Sequence, residues 1–288
     1  MRTVRLIGIN LKKTVTGCGF SACVLLTVIL FITSPLTYDS NTDTSVSILQ
    51  SFLRLSRGEM LRDPVYCTHS VLRSCVSGWV KMLIPMTTAF PFIPLYCRER
   101  ETGALRFVSV RLSKQGHQTS TFFSAMLTGG LVMLCAFLLF ALFTVTAFPD
   151  ISEYETAHLM QPETGGGICR TAVLRAAELF LYGAVSAVPA CLMTCLLNNR
   201  YLVISIPFFL KYLLIQHIVQ QQTAVYENYA DIDESRLAFL TMIDPDAVSR
   251  LFSGGDDLRN HVLLYAGLLI AAFLIFSMIL NRRCDCGA

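Results

Sequence analysis

The apolar residues of this chain are gathered into six long blocks rather than set at the spacing of a soluble core. They run approximately over 17–37, 78–96, 121–148, 172–197, 201–219 and 261–280. A bilayer core of about 30 Å requires about 20 such residues from a helix, and a helix satisfies its own backbone polar groups inside lipid. The pattern predicts an all-α, polytopic membrane protein with six transmembrane helices in one domain, 1–288. The first block follows Arg2, Arg5, Lys12 and Lys13 and is shaped like a signal peptide. Its apolar run from Phe20 to Thr33 meets no small-x-small cleavage site, so it reads as an uncleaved span.

The polar stretches between the blocks have structure of their own. Ahead of the first span, VRLIGINLKK places Val4, Ile7 and Leu11 on one helical face with Lys12 and Lys13 at its edge. That predicts a short amphipathic helix in the headgroup layer; a charged leader that only fixes topology fits equally. The segment 38–77 carries Val46, Leu49, Phe52, Leu53 and Leu55 at helix-like spacing, which predicts a small helical ectodomain. In 220–260, Asp244-Pro245 and Gly254-Gly255 break the chain into short pieces.

Charge orients the helices. Charged residues make up only 15% of the chain, against about a quarter in soluble domains. With the N-terminus in the cytoplasm, six spans return the C-terminus there. The cytoplasmic segments then hold 12 Lys/Arg and 3 Asp/Glu, whereas the longer outer segments 38–77, 149–171 and 220–260 hold 8 and 16. The density of basic residues predicts an N-in, C-in topology. Of the 11 cysteines only Cys67, Cys75 and Cys169 fall outside, so at most one bridge is available. Cys67 and Cys75 are the nearest pair.

The longest cytoplasmic connection, YCRERETGALRFVSVRLSKQGHQTSTFFSAML (96–127), opens with alternating charges and turns at Thr102-Gly103. Leu105, Val108 and Leu112 then share one helical face, with Arg106 and Arg111 beside it. A helix with apolar and charged faces fits a protein groove; it also fits a membrane surface with its arginines on anionic lipid. The segment resembles the one that follows span two in permeases of type-2 ATP-binding-cassette transporters. There an E-x-x-x-G turn leads into an L-x-x-x-x-P-x-[SR] helix and a basic re-entry. The matching residues are Glu99, Glu101, Gly103, Leu105, Arg111, Ser113 and Lys114; Val110 or Arg111 stands where many members have proline. The resemblance implies a coupling helix between spans two and three that docks on a separate ATPase. Its contacts would come from Glu99, Glu101, Gly103, Leu105, Arg106, Val108, Arg111, Leu112 and Lys114. It also implies a second permease copy or a paralogue, export more often than import, and ATP used by the partner subunit.

Within the spans, Glu178 and Lys211 are the clearest ionisable residues. Charges in lipid are costly and tend to pair, and the two lie at similar depth in spans four and five. An ion pair between them is one expectation; a Lys211 that snorkels outward is the other. Pro85, Pro91, Pro94, Pro189 and Pro207 interrupt spans two, four and five, where they would kink or open the helices.

The chain has no Gly-x4-Gly-Lys-[Ser/Thr], no HExxH and no GxSxG. Leu251-Phe252-Ser253-Gly254-Gly255-Asp256 looks like an ATPase signature but stands alone on the outer side. The expectation is therefore a multi-pass protein of the plasma or inner membrane, not an enzyme. It would bind no cofactor or metal itself, and lipids and an ATPase rather than nucleic acid would be its partners. A non-transporting scaffold and a secondary transporter are the alternatives.

Overall fold

A computed structural model describes residues 2–39, 44–102, 114–154, 168–197, 199–228, 244–252 and 258–286. Within them the chain is mostly helical. Helix α1 (Arg2–Val15) has no acidic residue in its first turn and ends on Lys12 and Lys13, where cations meet the negative end of the helix dipole. Gly17 precedes α2 (Cys18–Ile32), and the two helices meet at a 67° bend. The block expected at 17–37 is therefore the second arm of a bent pair.

A short hairpin departs from the all-α expectation. Strand β1 (Pro35–Asp39) pairs antiparallel with β2 (Thr44–Ser47), with Tyr38 opposite Ser45. Ser47 ends the strand and caps α3 (Ile48–Arg54) through a capping box with Gln50. The expected ectodomain helix thus begins at Ile48, which is fully buried. Two small helices follow, α4 (Arg57–Met60) and α5 (Thr68–Ser74). Gly78 has φ +55°, and a Cβ there would stand 2.7 Å from Pro35 Cγ, so the hairpin packs only against glycine.

Cys67 and Cys75, the nearest candidates for a bridge, are free thiols. They stand at opposite ends of α5, as its N-cap and C-cap. A rise of about 1.5 Å per residue separates them by roughly 12 Å, whereas a disulfide needs Cα atoms within about 7 Å.

The second span is two helices, α6 (Val80–Ala89) and α7 (Ile93–Glu101), interrupted around Pro91. Then come α8 (Lys114–Ala147), α9 (Ile168–Ser186), α10 (Val188–Leu196), α11 (Arg200–Asn228) and α12 (Leu258–Cys286). Among the described residues, five helical stretches are long and apolar enough to cross a membrane, or six when α1 and α2 count as one. The helices continue past the expected edges of the spans, most of all α11, which ends at Asn228 rather than 219.

Close packing of α8 on α9 holds the centre. A Cβ on Gly129 would lie 2.6 Å from the Gly183 carbonyl oxygen, and one on Gly183 would lie 2.5 Å from that of Gly129. Small residues that let two backbones approach are the usual basis of helix contact in lipid. Two apolar clusters flank this contact. One, with Phe31, Ile84, Phe137, Phe140 and Tyr182, sits beneath the hairpin and α3–α5. The other, with Phe92, Tyr96, Phe122, Cys191 and Phe276, sits toward the end of α7 and the start of α8.

Candidate functional site

Polar contacts concentrate at the two ends of the helix bundle. At the end that carries the hairpin and α3–α5, a 3₁₀ turn, Pro245–Arg250, is inserted among α6, α9, α11 and α12. Asp244 caps it by accepting the Asp246 backbone N–H at 3.1 Å. Lys211 on α11 donates to Asp244 and, at 2.8 Å, to Asp246 Oδ1. Lys81 Nζ on α6 stands 3.2 Å from Asp246 Oδ2. Tyr182 on α9 donates to Asp246 Oδ1 at 2.9 Å, and Tyr265 on α12 donates to the Asp244 carbonyl at 2.6 Å.

A second cluster borders the first. Arg175 donates to Glu178 Oε2 at 2.8 Å, to the Ser249 carbonyl and, at 2.9 Å, to the Arg73 carbonyl. The Phe252 backbone N–H donates to Glu178 Oε1 at 2.8 Å. The expected Glu178–Lys211 pair is thus replaced by two local sets: Glu178 with Arg175, and Lys211 with Asp244 and Asp246. The reason is reach. The turn carries its own carboxylates between α9 and α11 and supplies Lys211 with nearer partners. Lys211 is buried rather than snorkelling to solvent.

Burial alone would raise the Asp246 carboxyl. The Lys211 and Lys81 ammonium groups and the Tyr182 hydroxyl outweigh it and hold that carboxyl below the usual carboxylate range. Each carboxylate here faces a cation or an N–H donor, so the cluster clamps the turn rather than presenting a reactive group. Among the described residues no group of His, Cys, Asp and Glu could hold a metal ion.

The opposite end carries the residues marked by the sequence. Glu99 accepts from Lys13 Nζ at 3.0 Å, which ties α7 to α1. Glu101 ends α7 and is exposed, and Lys114 opens α8. Gly103, Leu105, Arg106, Val108, Arg111 and Leu112 lie outside the described residues. Both flanks of 103–113 are fastened to the bundle. Arg100 donates to the Thr194 carbonyl at 2.6 Å and the Leu197 carbonyl at 3.1 Å, satisfying carbonyls at the end of α10. Gln118 donates to Asn281 Oδ1 at 2.7 Å and accepts from Ser277 Oγ at 2.8 Å, which joins α8 to α12. Asn10 Nδ2 reaches Ser120 Oγ at 3.5 Å.

Residue patterning missed Asp244, Asp246, Lys81, Tyr182, Arg175, Arg100 and Gln118. One signal was present: Lys81 and Lys211 are two cations at the same end of the spans, and Asp244-Pro245-Asp246 is an acidic pair in the segment between spans five and six. No family model matches the chain. No curated protein matches it.

Proposed function

We propose that the chain is the membrane-spanning permease subunit of an ATP-driven ATP-binding-cassette transporter. In this reading it has six spans with both termini in the cytoplasm and sits in a cell membrane. It pairs with a second copy or a paralogue, works as an exporter, and is energised by a separate ATPase docking on 99–114. The observation that carries the proposal is the anchoring of both flanks of 103–113. A segment that receives force is useful only if its ends are tied to the moving parts. Arg100 links one flank to α10, Lys13–Glu99 links it to α1, and Gln118 links the other flank to α12. A displacement of the connection therefore reaches three helices at once. The interruptions at Pro91 and between α9 and α10 are places where such a displacement bends a span.

The test is co-purification of the chain with candidate ATPases, comparing wild type with a variant in which Glu101, Arg106 and Arg111 are reversed in charge. The expected result is an ATPase bound to wild type and lost from a variant that still inserts. If no ATPase associates with the wild type under turnover or nucleotide-trapped conditions, the transport reading gives way to a membrane scaffold.

A further inference from the structure

A cavity of about 80 Å³ opens between α1, α7 and α8. Asn10, Lys13, Glu99 and His117 supply its polar wall, and Leu6 and Leu95 its apolar wall. Some of the polar groups are already committed. The Thr14 hydroxyl donates to the Asn10 carbonyl at 2.8 Å and the Thr121 hydroxyl to the His117 carbonyl at 3.0 Å. His117 is only 9% exposed, yet its Nδ1 has no hydrogen-bond partner among the described residues. A buried ring nitrogen without a partner marks a place for one.

The surroundings indicate the kind of occupant. Helix α1 exposes Val4, Ile9 and Val15 together with Arg5 and Lys12, the surface of a helix lying in the headgroup layer. The cavity lies between this helix and α7 and α8. Its ionised groups are one of each sign, Lys13 and Glu99, 3.0 Å apart at the rim and both solvent-accessible. An acidic headgroup would set a second negative charge beside Glu99, whereas a zwitterion places one charge on each. The amine is better primary than quaternary, because only N–H groups can donate to the Glu99 carboxylate. Phe92 and Tyr96 also line the cavity, but their rings stack on each other, 5.9 Å apart at 17°, so each has one face taken and they do not surround a cation as an aromatic cage does.

We propose that this cavity holds the headgroup of a zwitterionic phospholipid bearing a primary amine. Its phosphate lies against Lys13, Asn10 and His117, its ammonium lies on Glu99, and its acyl chains run out along the Leu6 and Leu95 wall. The lipid wedges α1 against α7 and α8. The proposal does not rest on transport, and none of its readouts involves an ATPase.

The experiment is native mass spectrometry of the chain released from nanodiscs of equal phosphatidylethanolamine, phosphatidylcholine and phosphatidylglycerol. Wild type should retain one phosphatidylethanolamine in preference to the other two. Glu99→Gln should cut its advantage over phosphatidylcholine by about tenfold, the change expected from losing one charge-assisted hydrogen bond. His117→Leu should lower retention of all three, and Arg57→Gln in the ectodomain should change nothing. The wild-type order of headgroups needs no variant, so a misfolded mutant does not leave the proposal open. Equal retention of the three lipids overturns it, as does a preference that survives Glu99→Gln. Displacement of the lipid from wild type by soluble phosphoethanolamine also overturns it, because the occupant would then be a free solute.

Discussion

Lys211 shows how much one side chain carries here. It is buried, and its ammonium answers two carboxylates, Asp244 and Asp246. Removing one partner of a buried ion pair leaves the other charge uncompensated, at a cost of about 3–5 kcal/mol. Lys211→Met should therefore lower the melting temperature in detergent sharply, and a companion Asp244→Asn should restore part of the loss. The pH response follows from the lowered Asp246 carboxyl. Its stabilising contribution is complete above the ordinary carboxylate value, about 3.9, and disappears as pH falls through the lowered one. His69 behaves with the same sign at higher pH. Burial lowers its imidazole, against the pull of Asp150, so its contribution is present above about 6.5 and fades as pH falls through the lowered value. A melting-temperature profile should thus decline first below about pH 6.5, and His69→Gln should shrink that first step, to which His117, also lowered by burial, contributes with the same sign. The Asp246 step should persist at lower pH. The thiols give a third check at this scale: without reductant, Cys67 and Cys75 should both react with a maleimide once the chain is unfolded.

At the scale of elements, the apolar blocks were legible because lipid demands continuous runs, and all five long helical stretches fall on them. The interruption of the second span was legible too, since proline both removes an N–H and blocks the preceding turn. Pro91 sits in the break, and Pro94 lies in the first turn of α7. The bend between α1 and α2 and the hairpin at 35–47 were not legible. Both depend on packing against remote residues, as Gly78 under Pro35 illustrates. Periodicity likewise could not reveal that the turn at 245–250 is inserted between helices, because its partners are remote in sequence, from Tyr265, 21 residues from Asp244, to Lys81 on the far side of three spans. The α8–α9 contact supplies the prediction at this scale. Gly183→Leu would drive a side chain into the Gly129 carbonyl and Met133, both 2.5 Å from a Cβ at that site. Neither backbone nor a packed core side chain can yield cheaply, and overpacking costs about 1–3 kcal/mol or more. Proteolysis of the variant in membranes should be faster than wild type, while Gly267→Leu, on a helix face with nothing within 4 Å, should be tolerated.

Across the whole molecule, two polar centres lie at opposite ends of the same helices. The turn at 245–250 joins α6, α9, α11 and α12 at one end, and Arg100, Lys13 and Gln118 join α7 with α10, α1 and α8 with α12 at the other. Helices α9 and α10 form one interrupted span, so the Tyr182–Asp246 bond and the Arg100–Thr194 bond sit on either side of the interruption at Ala187. If an ATPase moves the connection, Arg100 is the shortest described route from α7 to the α10 half of that span. Binding and transmission should then separate. In Arg100→Ala none of the docking contacts proposed above is changed, but hydrogen bonds from a charged donor, worth about 1.5–3 kcal/mol each, no longer hold α7 to the end of α10. The ATPase should co-purify at wild-type yield and hydrolyse ATP at a similar rate, while substrate movement in proteoliposomes falls by tenfold or more, on the order of one such bond. Charge reversal at Glu101, Arg106 and Arg111 should abolish both. If Arg100→Ala instead lost the ATPase together with transport, Arg100 would belong to the docking surface, and the link to α10 would be a packing contact rather than the path of force.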